Sequence, residues 1–124
     1  MLTTYRDGRP GPILAMCRGE RMITTIVEFT LPQPISRERA REIFLSTAPK
    51  YRGMEGLLRK YYFVSEDGAS AGGIYLWSTR AAAERQYNDE WHAFVGEKYG
   101  SPPKLTYLEC PVIVDNLSEE IIDD

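Results

Sequence analysis

Six aromatic residues, Tyr61, Tyr62, Tyr75, Trp77, Tyr87 and Trp91, fall within one stretch of chain, and the basic pair Arg59-Lys60 immediately precedes the first of them. Tyrosine hydroxyls and indole N–H groups are hydrogen-bond donors carried on large apolar surfaces. A site of this composition has aromatic walls and a few oriented donors rather than a charged catalytic cluster. Arg59, in mid-strand, is the candidate to hold an anionic oxygen such as a phenolate, with Trp77 and Tyr61 as the other candidate catalytic residues. Tyr62, Tyr75, Tyr87, Trp91 and His92 are the candidate substrate-binding residues. His92 is the single histidine and the one candidate base near neutral pH. It follows Trp91, at the border of an apolar stripe. Each residue also has a plainer role open to it: strand aromatics commonly form core, and Arg59 and Lys60 can snorkel to solvent.

Other chemistries lack the residues they need. Two cysteines, Cys17 and Cys110, and one histidine cannot supply a four-ligand Cys/His zinc site. Cys110 precedes Pro111 among apolar neighbours, where a buried inert thiol is expected. The chain has no G-x-S-x-G elbow, phosphate loop, dinucleotide fingerprint or internal repeat. A net charge of −3 argues against nucleic acid or an anionic membrane as the main partner. At 124 residues, 43% hydrophobic and 27% charged, the composition is that of one globular domain. The apolar run Ile13-Leu14-Ala15-Met16-Cys17 is too short for a secretion signal or a membrane span. A cytoplasmic protein with reduced thiols is expected.

The elements that would position these residues follow from periodicity. Met22 to Leu31 alternates, with Ile23, Thr25, Val27 and Phe29 on one side, as a half-buried strand does. Ser36 is a plausible N-cap, Ala40, Ile43, Phe44 and Ala48 recur at helical spacing, and Pro49 is expected to end that helix. Leu57 to Ser65 and Gly72 to Trp77 read as strands joined through Asp67-Gly68. Arg80 to Tyr99 reads as one helix closed by Gly100, and Leu105 to Asp115 as an edge strand containing Pro111.

The order β-α-β-β-α-β gives an α+β, ferredoxin-like domain: a four-stranded antiparallel sheet with two helices on one face. Domain limits fall at 22–116, preceded by an extension over 1–21 and followed by an acidic tail over 117–124. The second and third strands are apolar on both faces, and two helices cover only one. A second subunit is the simplest cover for the other face; the alternative is that residues 1–21 and the tail cover it.

Three segments carry a family resemblance: Ala48 to Tyr62 (APKYRGMEGLLRKYY), Ala71 to Trp77 (AGGIYLW) and Cys110 to Asn116 (CPVIVDN). They closely resemble the YdhR-like group of bacterial mono-oxygenases, within the dimeric α+β barrel superfamily that also holds antibiotic-biosynthesis monooxygenases. The likeness runs from about residue 22 to residue 116. It implies a homodimer with facing sheets and a pocket in each subunit between sheet and helices. It further implies oxidation of an aromatic or quinone-like small molecule by O2 with no metal or flavin cofactor, the substrate supplying the electrons. The protein then excludes water, orients a flat substrate and stabilises an oxyanion. The same scaffold hosts isomerases and lyases, haem enzymes in which a helix histidine such as His92 would be the ligand, and non-enzymatic ligand-binding dimers.

Overall fold

A computed structural model describes residues 9–17 and 20–124. The central layer is a four-stranded antiparallel sheet in the order β2-β3-β1-β4, built from β1 (Ile23–Thr30), β2 (Leu57–Val64), β3 (Ser70–Trp77) and β4 (Lys104–Glu109). This is the ferredoxin-like arrangement expected from the element order. In β1 alternate residues from Ile23 to Phe29 are buried and those between them half-buried. A strand with one face against helices has this pattern.

Three helices lie over the sheet-side core: α2 (Arg37–Tyr51), α3 (Arg80–Gln86) and α4 (Asp89–Tyr99). The Ser36 hydroxyl accepts from the Arg39 N–H at 3.0 Å and caps α2. Pro49 does not end this helix, which runs on to Tyr51. Proline disfavours helix before it and leaves the carbonyl four residues back without a donor. Here the two residues beyond Pro49 place the Tyr51 ring edge-on to Tyr62 and Tyr75, at 6.4 and 6.1 Å between centroids.

The stretch Arg80 to Tyr99 is two helices rather than one. Tyr87 leaves helical geometry at φ −91°, ψ 51°, and Asn88 caps α4 by accepting from the Trp91 N–H at 2.8 Å. The Tyr87 hydroxyl is held 2.6 Å from the Thr25 hydroxyl in the sheet, so the chain turns where a long-range hydrogen bond fixes it. Val27, Phe29, Tyr75, Trp77, Ala83, Tyr87, Trp91 and Val95 form the main core between sheet and helices.

The C-terminal part also departs from expectation. The strand read as Leu105 to Asp115 breaks at Cys110-Pro111, since proline cannot donate to a ladder. Beyond it β5 (Val112–Asp115) pairs antiparallel with β6 (Glu120–Asp123). The acidic tail over 117–124 is therefore half of a hairpin, turned by the Asp115 carboxylate accepting from the Leu117 N–H at 3.0 Å.

The described part of the expected 1–21 extension is also packed. It contains α1 (Pro12–Cys17), whose Ile13 joins Met22 and Ile122 in a second buried cluster against Leu58, Leu76, Cys110 and Ile113. The Gly11 N–H donates to both oxygens of the buried Glu120 carboxylate, at 3.0 and 3.1 Å. A Cβ at Gly11 would stand 2.6 Å from that of Ser118, so glycine is required for the contact. Residues 1–8 and 18–19 lie outside the described part. One end of the second sheet face is thus covered from within the chain, while Tyr61, Ile74 and Leu108 stay 56%, 37% and 44% exposed. Among the described residues no helix is long and apolar enough to cross a membrane.

Candidate functional site

A cavity of about 180 Å³ lies between the sheet, α2 and α4. Each element contributes to it by its own periodicity. From β2 come Lys60 and Tyr62, from β3 Gly72, Gly73 and Tyr75, and from β1 Val27 and Phe29. From α2 come Thr47, Lys50 and Tyr51, one turn apart, and from α4 Trp91, Phe94, Val95, Lys98 and Tyr99, along one helical stripe.

The rings are mutually braced. Tyr75 stacks on Trp77 at 5.7 Å with 8° between the planes, and Phe29 on Tyr99 at 4.4 Å. Tyr62 stacks on Phe44 at 4.8 Å, and its hydroxyl lies 2.8 Å from that of Thr47. Behind them, the Trp77 indole N–H donates to the Thr25 hydroxyl at 2.9 Å, and Thr25 meets the Tyr87 hydroxyl. This buried polar chain fixes the floor of the site. The Trp91 indole nitrogen is buried and has no hydrogen-bond partner among the described residues.

Burial sets the protonation of these groups. It raises the Tyr75 and Tyr87 hydroxyls well above the ordinary tyrosine range, and it pushes Tyr99 up to about 12. Tyr62 is raised by burial against an opposing hydrogen bond from Thr47. These hydroxyls remain protonated at neutral pH. Lys60 moves the other way: burial first, and the nearby Lys50 charge second, lower it to about 7. Its Nζ lies over the faces of Tyr51, Tyr62 and Tyr75, at 3.5, 3.9 and 4.6 Å from their centroids. Ring faces favour an ammonium, but they replace only part of the water it has lost.

The sequence-derived candidates divide between the two faces of the sheet. Tyr62, Tyr75 and Trp91 line the cavity together. Trp77 and Tyr87 are buried behind Tyr75 and brace it. Arg59 and Tyr61 pair with Leu76 and Ile74 and lie on the opposite face, so Trp77, Arg59 and Tyr61 do not form one site within the chain. The cause is a bulge between Leu57 and Arg59: Leu57 stands opposite Trp77, yet Arg59 stands opposite Leu76. The extra residue turns Arg59 out and Lys60 in. His92 is exposed on the far side of α4, in a groove with Gly96, Gly100 and Pro103. It is not a wall residue of the cavity, and it offers no axial ligand to a haem placed there. Among the described residues no cluster of three or more His, Cys, Asp or Glu is placed to hold a metal ion.

Sequence reasoning passed over Lys60, Tyr51 and Gly73. The available signal was parity: Lys60 shares a strand face with Tyr62, two residues on. A glycine pair in mid-strand also marks a close approach. A Cβ at Gly73 would stand 3.0 Å from the Tyr75 ring and 3.1 Å from Lys60 Cε. Its absence makes room for both side chains.

Residues 25–100 match the family model described as "Putative mono-oxygenase ydhR". No functionally curated protein matches the chain. Solved structures share the fold. A monooxygenase from the gene ActVA-Orf6 of Streptomyces coelicolor, in complex with nanaomycin D, superposes with a TM-score of 0.55 at 19% identity, over 73% of this chain and 88% of that one. A variant of SnoaB, a cofactor-independent oxygenase from Streptomyces nogalater, gives 0.55 at 18% identity, over 73% and 93%. Rv0793 from Mycobacterium tuberculosis gives 0.53 at 22% identity, over 70% and 92%.

Proposed function

The chain belongs to the mono-oxygenase family of that ydhR model, and we propose that it uses O2 to oxidise a planar aromatic or quinone-like small molecule bound between the sheet and α2/α4. The observation that carries this reading is the cavity itself, walled by Tyr51, Tyr62, Tyr75, Trp91 and Phe94 and lined by Lys50, Lys60 and Lys98 with no acidic residue among the described lining residues. Braced rings orient a flat molecule, and donors aimed at its oxygen favour the anion over the neutral form. An electron-rich aromatic anion reduces O2 without a metal or flavin. For an anthrone the reaction balances as follows: the ring methylene loses two hydrogens, one oxygen atom enters as the new carbonyl, and the other leaves as water. The substrate supplies all four electrons.

A homodimer is part of the proposal. The exposed apolar residues Tyr61, Ile74 and Leu108 lie on the sheet face away from the helices, where the same face of a second copy would cover them. The cytoplasm is the proposed location.

The test is O2 consumption by the purified protein with a panel of anthrones and hydroquinones, no metal or flavin being added. Uptake with formation of the quinone supports the reading. Binding of the panel with no uptake overturns it in favour of an isomerase or a binding protein. A Soret band in the native protein would overturn it in favour of haem chemistry.

A further inference from the structure

Lys60 is a mid-strand lysine whose neighbours do not account for its charge. Three tyrosine rings surround Nζ. Among the described residues no carboxylate pairs with it and no acceptor takes a hydrogen bond from it. Nor does any Asp or Glu line the cavity, although acidic residues outnumber basic ones 18 to 15 in the chain. The wall carries Lys50 and Lys98 instead, whose ammonium groups flank the Phe94 ring at 5.2 and 5.8 Å. A buried donor left unpaired is costly, so the cavity is built for an occupant that brings anionic oxygen.

Resting on the oxygenase reading above, we propose that Lys60 is the proton acceptor and charge partner for an acidic hydroxyl of the substrate, a phenol or an enolised ring ketone. The lone pair of Nζ takes the O–H proton. The electron pair of that bond stays on oxygen and spreads into the ring. The product is an ammonium–aryloxide pair inside the cage of Tyr51, Tyr62 and Tyr75. The aryloxide provides the counter-charge that no carboxylate of the wall provides, and the ring faces then favour the new ammonium. The tyrosines do not compete as acids, because burial holds their hydroxyls protonated. Lys50 and Lys98 draw an anion inward and oppose its reprotonation.

The titratable groups that share the cavity with Lys60 are Lys50 and Tyr51 from α2, Tyr62 from its own strand, Tyr75 from β3, and Lys98 and Tyr99 from α4, while Arg52 at the end of α2 and Arg59 border the neighbouring groove that Lys60 also reaches. With Lys60 at about 7, the proton balance of binding reports its state. The probe is 2-naphthol, whose ionised form absorbs at longer wavelength, added anaerobically one pH unit below and one above the titration of Lys60. In the wild type the bound probe shows the anion band at both. Calorimetry in buffers of different ionisation heat shows about one proton released at the lower pH and near none at the higher, where neutral Lys60 takes it. Lys60→Arg keeps the anion band but releases about one proton at both. Lys60→Met binds the probe neutral and about tenfold more weakly.

A neutral bound probe in the wild type, an anion band that survives in folded Lys60→Met, or no binding of naphthol while 2-naphthoate binds would each overturn the proposal. None of these readouts uses oxygen. An ionised probe without O2 uptake in the earlier assay sinks the oxygenase and leaves Lys60 in place. Wild-type O2 uptake by Lys60→Met does the reverse.

Discussion

The Nζ of Lys60 stands 3.5 Å from the centroid of the Tyr51 ring. The contact joins the last residue of α2 to the middle of β2 and closes one side of the cavity. The two helical residues beyond Pro49 carry Tyr51 to this contact and to the rings of Tyr62 and Tyr75.

Burial of Lys60 makes stability depend on pH in a defined window. The unfolded chain holds this proton up to the ordinary lysine value of 10.5, whereas the folded protein loses it near 7. Between those values the unfolded state binds more protons, so stability rises with pH, and the cost of the buried ammonium is complete below about 7. Lys60→Met is expected to be more stable than wild type at and below neutral pH. Its advantage should shrink above that by up to about 1.4 kcal/mol per pH unit. Urea denaturation across the window checks this, and a pH-independent advantage would refute it.

Thr25 holds two buried partners, the Trp77 N–H and the Tyr87 hydroxyl. Thr25→Val preserves shape but removes the hydroxyl that both groups use, and should cost about 1–3 kcal/mol. Thr25→Ser keeps the hydroxyl and should cost about 1 kcal/mol. Equal losses for the two variants in chemical denaturation would show that the hydrogen bonds contribute little.

Glu120 ties α1 to the C-terminal hairpin through the Gly11 N–H. Glu120→Ala is expected to cost about 1–3 kcal/mol and to expose residues 9–17 to protease while the sheet stays protected. Cleavage patterns by mass spectrometry decide it. An unchanged pattern means Ile13 alone anchors the helix.

Gly73→Ala places a methyl against Lys60 Cε and the Tyr75 ring. Lys60 and the Tyr75 ring must both give, so affinity for naphthol should fall about tenfold with a loss of stability of about 1–3 kcal/mol. Isothermal titration and thermal melting together separate the two. Unchanged affinity would mean that the cavity does not depend on where Lys60 sits.

Tyr61→Glu puts a charge in the exposed apolar face, 56% exposed in the single chain. Light scattering is expected to give twice 14.2 kDa for the wild type and a monomer for the variant. A wild-type monomer at micromolar concentration would sink the dimer.

The sequence by itself determined the existence and succession of the four central strands and the alternation of β1, because the period of two in β1 and the β-α-β-β-α-β succession leave few right-handed solutions. It also determined that Tyr62, Tyr75 and Trp91 were worth watching, and it carried the family resemblance in Gly72-Gly73-Ile74-Tyr75-Leu76-Trp77. Tertiary structure decided which cation meets them. Counting alternation from Leu57 puts Arg59 and Tyr61 beside it, but the bulge inserts one residue and reverses every side chain after it. Local propensity does not encode that insertion. It exists because Leu57 and Leu58 each reach a different core, one under the helices and one under α1 and the hairpin. The same long-range packing split the helix at Tyr87 and turned an acidic tail into a strand. In each case a contact across the fold outweighed a local preference worth about 1 kcal/mol or less.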